Sequence, residues 1–571
     1  MKKKEKIIIY QLLVRLAGNT KTKIKPWGTK AENGCGTFND LTQQTLNKIA
    51  ALGANHIWLT GILEHASCTS YPKHGIPAGN PLVIKGQAGS PYAIRDYYDV
   101  SPDLAEDVDN RMAEFESLIE RCYRAKLSPI IDFVPNHVAR EYSSDHPEGK
   151  KPFGISDNTN LAFHPDNNFY YIPNQALELP SEVYRQPHFT KPDNLKYQEN
   201  PAKATGNDCF SHKPGFNDWY ETVKLNYGVD YINGRKQHFE PVPDTWHKML
   251  DILLYWAEKN IAGFRCDMAE MVPVEFWRWC IAKVRKQYPD ILFIAEIYNP
   301  DLYRSFIDAG FDFLYDKVGL YDAIRDVLTA GRPAATIQEE WKKLNGMDPF
   351  MLRFMENHDE QRIASRHFAG NPKAGIPAMA VCATMHQGPL MLYFGQETGE
   401  TAHGATGYSG DDGRSSIFDY STVPSFQRWY NKGKCNDILL SKDQKELRLF
   451  YQRLLKLAKA PVISNGSFYD LMWANEHVNQ QALYAYLRWD KSLIWLIAAN
   501  FDNHQEANAN IKIPKHFFDL RGDTENQSAW VLDPLLADSD SIQIQQEELI
   551  NEGMFVTISS LSAIVISLRK Q

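Results

Sequence analysis

Cysteine is scarce in this chain: eight in 571 residues are too dilute for a disulfide framework, and no pair has the short spacing of a zinc or redox motif. They read as small core residues in a reducing compartment. Long apolar runs are missing as well, since none reaches the roughly 18 residues needed to span a membrane. The lysine-rich start followed by residues 7–14 imitates a secretory signal, but Arg15 ends the apolar run and no small-x-small cleavage site follows. The expectation is a cytoplasmic protein with no membrane partner. A basic surplus is absent too: 62 Lys and Arg against 70 Asp and Glu leave a net charge of −8. Binding to a phosphate backbone needs a basic excess or patch, so no nucleic-acid partner is expected.

Several catalytic signatures are also missing. No G-x-S-x-G follows a strand, as an α/β-hydrolase would require. No H-E-x-x-H pair exists, and the histidines are not spaced as a zinc site, so no catalytic metal is expected. The glycine-rich segment Gly404 to Gly413 lacks the Lys-Ser or Lys-Thr of a nucleotide loop and reads as a mobile rim loop. No internal repeat or low-complexity tract is visible. Oligomeric state leaves no trace in the sequence.

What is present is an ordinary globular composition, 43% hydrophobic and 23% charged, which excludes disorder and collagen-like repeats. At about 150 residues per domain the length allows two to four domains. Short apolar runs at 7–14, 56–63, 128–135, 262–268, 292–298, 311–317, 351–356 and 390–395 alternate with amphipathic segments at 41–52, 111–126, 245–259, 274–287, 321–328 and 376–385. Eight near-continuous apolar strands separated by helices fit an α/β fold of the (β/α)8 TIM-barrel type, with strands buried on both faces. The competing open doubly wound sheet would need a glycine-rich first turn, and residues 19–30 offer none.

Two regions break the alternation. Residues 139–242, rich in Pro, Asn, Asp and Tyr, interrupt the barrel after its third strand and read as an inserted subdomain over its mouth. From 464 onward, after a long helix at 442–459, short alternating runs predict a C-terminal antiparallel β domain. The expected division is a barrel from 1–138 and 243–463, an insertion at 139–242 and a C-terminal domain at 464–571.

Chemistry gathers at the strand ends. In 263–268, Arg265 and Asp267 share one face of a strand and point into the barrel near its C-terminal rim, where barrel enzymes hold their sites. The guanidinium is expected to lower the Asp267 pKa and keep an ionised nucleophile. Glu296 ends the apolar run 293–295, a setting expected to raise a carboxyl pKa and suit a general acid. Asp359 and His358 end the seventh strand, and His137 ends the third. Three carboxylates at three strand ends, with histidines beside them, make a candidate active site.

The ordered set DFVPNH at 132–137, GFRCDMAE at 263–270, AEIY at 295–298 and ENHDEQR at 356–362 resembles the four short motifs of the α-amylase family, glycoside hydrolase family 13. Further similarity lies in 10–16, in 92–102, in 223–226 of the insertion and in 393–397. The resemblance implies a barrel with an insertion after strand three and a C-terminal β domain. It implies that Asp267 is the nucleophile, Glu296 the general acid/base and Asp359 the carboxylate that favours the oxocarbenium-like state. Arg265 would orient Asp267, while His137 and His358 would bind hydroxyls of the sugar at the cleavage site and Tyr92 would lie under its ring. Carboxylates about 5–5.5 Å apart would give a covalent glycosyl-enzyme and net retention.

No cofactor is then required for the chemistry. The resemblance leaves a structural calcium ion open, held by Asn136 and acids of the insertion that the sequence does not identify. Two departures bear on specificity: Ala93 follows Tyr92 where aspartate is usual, and Ala269-Glu270 replaces a lysine-histidine pair on the leaving-group side. The expected function is a retaining hydrolase of α-1,4 bonds in maltooligosaccharides or starch-derived glucans. A glucanotransferase or phosphorolytic enzyme would share every catalytic residue. A silent binding subunit would be expected to lack a catalytic carboxylate and to carry a membrane helix.

Overall fold

The computed structural model of the chain describes residues 5–144, 151–187, 195–523, 528–536 and 540–571. Eight strands, β1 (Ile8–Leu13), β2 (His56–Thr60), β3 (Ser128–Phe133), β4 (Gly263–Cys266), β5 (Leu292–Ala295), β6 (Phe313–Tyr315), β7 (Met351–Leu352) and β8 (Leu390–Tyr393), form one sheet. Their order is β7-β6-β5-β4-β3-β2-β1-β8. Every neighbouring pair is parallel. A parallel bridge between Arg353 and Leu390 brings the two edges together. The result is the α/β barrel that eight apolar strands predict, and closure removes exposed edges.

The strands are shorter than the apolar runs suggest. The fourth ends at Cys266, the fifth at Ala295 and the seventh at Leu352. Apolar character continues beyond the last ladder pair because the rim loops are themselves buried. Asp267 and Glu296 therefore stand just past β4 and β5, whereas His358 and Asp359, expected at the end of the seventh strand, lie six and seven residues beyond Leu352 in the loop that follows it. Parallel register places Arg265 opposite Asp132 on β3 and Ile294 on β5. Partners in register share a face, so Arg265 and Asp132 point inward at one level.

Helices cover the outside with apolar stripes. In Arg111–Arg124 the buried residues are Phe115, Leu118, Ile119 and Cys122, the i, i+3, i+4, i+7 pattern that makes one face. Helix Val274–Gln287 buries Phe276, Trp277, Cys280, Ile281 and Val284. Trp277 packs edge-on against Phe133 and Phe311, and its indole N–H donates to the Ala269 carbonyl at 3.0 Å. It thereby ties the outer helix to the turn that follows Asp267. Replacing Trp277 with alanine is expected to cost about 3–5 kcal/mol through the cavity it leaves. A lowered melting temperature checks this; a variant that melts like wild type would refute it.

Between residues 139 and 242 the described chain has no α-helix and only short ladders. Strand Thr222–Lys224 pairs antiparallel with His137–Ala139, with His137 opposite Lys224, and so anchors the insertion at the barrel rim. A second ladder joins Tyr171–Ile172 to Ala202–Lys203. Residues 145–150 and 188–194 of the expected insertion lie outside the described residues. Toward the C-terminus, a six-stranded antiparallel sheet centres on Leu483–Trp489, Ile494–Asn500 and Ser562–Lys570. Ala507–Ile511 and Met554–Ile558 form a separate antiparallel pair with strictly alternating burial. No helix of the described residues is long and apolar enough to cross a membrane.

Candidate active site

Arg265 is the hub. Buried at 1% exposure, its Nη1 donates to Asp267 Oδ1 at 2.7 Å, its Nη2 lies 2.8 Å from Glu296 Oε1, and its Nε donates to the Tyr315 hydroxyl at 3.0 Å. The same guanidinium carbon sits 5.1–5.5 Å from the ring centroids of Trp58, Tyr92 and Tyr315. A planar fork on three aromatic faces has little freedom to turn. One rigid cation therefore fixes both carboxylates.

Glu296 takes two further donors. Its Oε2 accepts the Met268 N–H at 2.7 Å, and its Oε1 accepts the Tyr298 hydroxyl at 2.7 Å. Met268 has φ +43°, a left-handed conformation costly for a side chain of its kind, and this turn aims its N–H at Glu296. The expected apolar surroundings of Glu296 are thus corrected: a cation, an amide and a phenol hold the carboxylate. The apolar run that suggested otherwise is the strand leading to it.

The expected lowering at Asp267 is corrected too. Burial, and then the charge of Glu296, outweigh the Arg265 guanidinium and push the Asp267 carboxyl well above its usual value. Two buried carboxylates on one guanidinium keep a proton that isolated carboxyls would lose. The pair is thus poised to present one acid and one base. Asp359 behaves oppositely: burial opposes ionisation, but His358, Arg265 and Arg414 together hold its carboxyl below the ordinary range. His358 Nε2 lies 3.0 Å from Asp359 Oδ2, and Arg414 donates to the Asp359 carbonyl at 2.6 Å.

A cleft of about 250 Å³ opens over these groups. Tyr92, His137, Asp267, Glu296 and Asp359 line it. Arg265 and His358 lie behind that lining, and the Arg265 contact to Asp267 is the orienting one expected of it. The His358 side chain is fully buried, its Nδ1 facing the Gln11 amide at 2.9 Å and its Nε2 engaged by the Tyr92 hydroxyl and Asp359. Its ring stacks on Tyr92 with centroids 5.1 Å apart. These contacts fix the orientation of the His358 ring. His137 stays on the wall beside Trp219, with ring centroids 5.2 Å apart. Burial, then Lys224 and Lys85, push its pKa down to about 3. At neutral pH its ring is uncharged.

Several site residues escaped the sequence reading. Asp132 is a buried carboxylate beside Asp267 and Glu296, accepting the Trp58 indole N–H at 3.1 Å and lying 3.5 Å from Arg265. Its place in DFVPNH was visible, its role was not. Lys85 and Glu221 form a buried ion pair at 2.9 Å in the cleft wall, joining a barrel loop to the insertion. No periodicity marks either residue. Glu270, one of the two departures, accepts the N–H groups of Tyr298 and Asn299 at 3.1 and 2.9 Å. It braces the loop of Glu296. The loop after β8 brings Ile417 and Phe418 to the wall.

A family model described as the α-amylase catalytic domain matches residues 27–437. Alpha-amylase 3 of Dictyoglomus thermophilum is 24% identical over 397 residues, which is 66% of this chain and 68% of that protein. An alpha-1,4-glucan:maltose-1-phosphate maltosyltransferase of Picrophilus torridus is 22% identical over 277 residues, 48% of this chain and 33% of that one. The chain thus spans a third of that relative's length. Among solved structures, the α-amylase of Geobacillus thermoleovorans complexed with acarbose is similar with a TM-score of 0.62 at 18% identity, covering 99% of this chain and 98% of the other. At that identity the likeness shows the fold alone.

Proposed function

The chain belongs to the α-amylase family, and from that premise we propose that it is a retaining hydrolase of α-1,4-glucosidic bonds in maltooligosaccharides or starch-derived glucans. The observation that carries the proposal is the single guanidinium of Arg265 holding Asp267 and Glu296 together beneath a cleft that Asp359 borders. Asp267 and Glu296 share one proton, and it is from Glu296 that this proton passes to the glycosidic oxygen as the bond to the anomeric carbon breaks. Asp267, ionised, attacks that carbon and forms a covalent glycosyl-enzyme. Glu296, now the base, takes a proton from water, whose oxygen displaces Asp267 and restores the starting configuration. Asp359, held ionised, stabilises the positive charge that develops on the ring. Tyr92 and the neutral His137 bind the ring and its hydroxyls.

A transferase reading uses the same double displacement with another sugar or phosphate as acceptor. Two observations favour keeping it: Glu270 braces the acid's loop where a leaving-group contact would otherwise stand, and the similar curated proteins include maltosyltransferases. Incubation of the pure chain with maltoheptaose, with and without phosphate or maltose, separates the two. Shorter products alone, released as α-anomers, are the expected result. Longer saccharides or a sugar phosphate would replace the hydrolase reading by the transferase one, and β-anomers would overturn both.

A further inference from the structure

We propose that Lys224 is the resident cation between the barrel rim and the insertion, so that the chain needs no calcium ion to hold the two together. The family resemblance points to calcium on Asn136. In the structure the Asn136 Oδ1 is already taken: the Lys224 ammonium donates to it at 2.7 Å. The same Nζ lies 2.6 Å from Asp208 Oδ1 and 5.3 Å from the Tyr231 ring centroid. The Lys224 side chain is only 2% exposed. The other end of the Asn136 amide donates to the Gly206 carbonyl at 2.8 Å. One lysine therefore joins the end of β3 to the 206–208 turn of the insertion.

Calcium does not fit these groups. It takes six to eight oxygen ligands at about 2.3–2.6 Å, and here one amide oxygen and one carboxylate already face an ammonium. Among the described residues no group of three or more His, Cys, Asp or Glu side chains could hold a metal ion. A divalent ion beside Lys224 would meet like charge in a poorly solvated site. Displacing the ammonium would bury it without a partner, a costly arrangement.

The clamp reaches the cleft. Gly206 packs against His137 so closely that a Cβ there would lie 2.9 Å from the His137 Cβ and 2.7 Å from Thr222 Oγ1. The Gly206 N–H donates to that same Thr222 hydroxyl at 3.1 Å. By fixing the 206–208 turn, Lys224 sets the position of His137 on the cleft wall. It is a positioning residue and is not itself part of the cleft lining.

The test uses the full chain. The melting temperature of wild type, measured after exhaustive chelation and again in millimolar calcium chloride, is expected to be the same. A bound ion would raise it by about 5 °C or more, and such a rise would overturn the proposal. Lys224→Met is expected to melt lower than wild type, and the milder Asp208→Asn to raise KM about tenfold with a smaller change in kcat. Wild-type melting in Lys224→Met, or wild-type KM in Asp208→Asn, would equally sink it. The KM measurement rests on the hydrolase reading above, whereas the melting measurements do not, so the two can fail separately.

Discussion

Asp267→Asn is expected to reduce turnover of maltooligosaccharides by about 10,000-fold or more, the scale on which removing a nucleophile acts, while the folded protein becomes more stable at neutral pH. The loss of turnover follows from chemistry: an amide oxygen does not form the glycosyl ester. The gain in stability follows from burial. The Asp267 carboxyl is held well above its usual value by desolvation and by Glu296, so the folded state binds a proton that the unfolded chain releases. Stability contributed by such a group falls as pH rises from the unfolded carboxyl value, near 4, toward the raised folded value. Asparagine removes that penalty and can still accept from Arg265. The melting-temperature difference between variant and wild type should therefore widen from pH 4 upward and then level off. Turnover within tenfold of wild type would refute the assignment, and a difference that narrows with pH would refute the electrostatic account.

The sign at Asp267 illustrates what the sequence could and could not carry. Arg265 stands two residues away along the chain, so its influence was visible. Glu296 follows the next strand and its charge becomes relevant only when β4 and β5 pair in register. Burial comes from the whole barrel. Glu296 itself was found because strand ends are where barrels keep their chemistry, yet two of its three partners needed tertiary structure: the Met268 amide arrives through a left-handed turn, and Arg265 reaches across from β4. Tyr298 is two residues on and could have been read from sequence.

The barrel was legible because parallel strands are apolar on both faces, which leaves a dense local signal. Short helices were not: Tyr303–Ala309 and Ile337–Leu344 span about two turns each and carry too few apolar positions to stand out. The wall pair Lys85–Glu221 was invisible for another reason. Its members lie 136 residues apart, in segments without regular structure, and charged residues there ordinarily read as solvated surface. The surroundings of His358 were not legible, since nothing in ENHDEQR shows that Gln11 and Tyr92 meet its ring nitrogens.

Glu296→Gln tests the shared-proton arrangement from the other side. On natural glucosides, whose leaving alcohol needs a proton, activity should fall about 100- to 10,000-fold. On glycosyl fluorides or nitrophenyl glucosides, whose leaving groups depart unaided, the first step should be far less affected. The pH profile should change in two ways. Because the Glu296 charge is, after burial, the largest cause raising the Asp267 carboxyl, glutamine lets that carboxyl ionise more readily and shifts the acid limb toward lower pH. The basic limb should flatten because glutamine has no proton to deliver. Equal losses on both substrate types would remove Glu296 from its role as acid. An acid limb that stays in place would mean that Glu296 does not control the ionisation of Asp267. The proton would then belong to a different pair, with Asp132, buried 3.5 Å from the same guanidinium, as the next carboxylate to substitute.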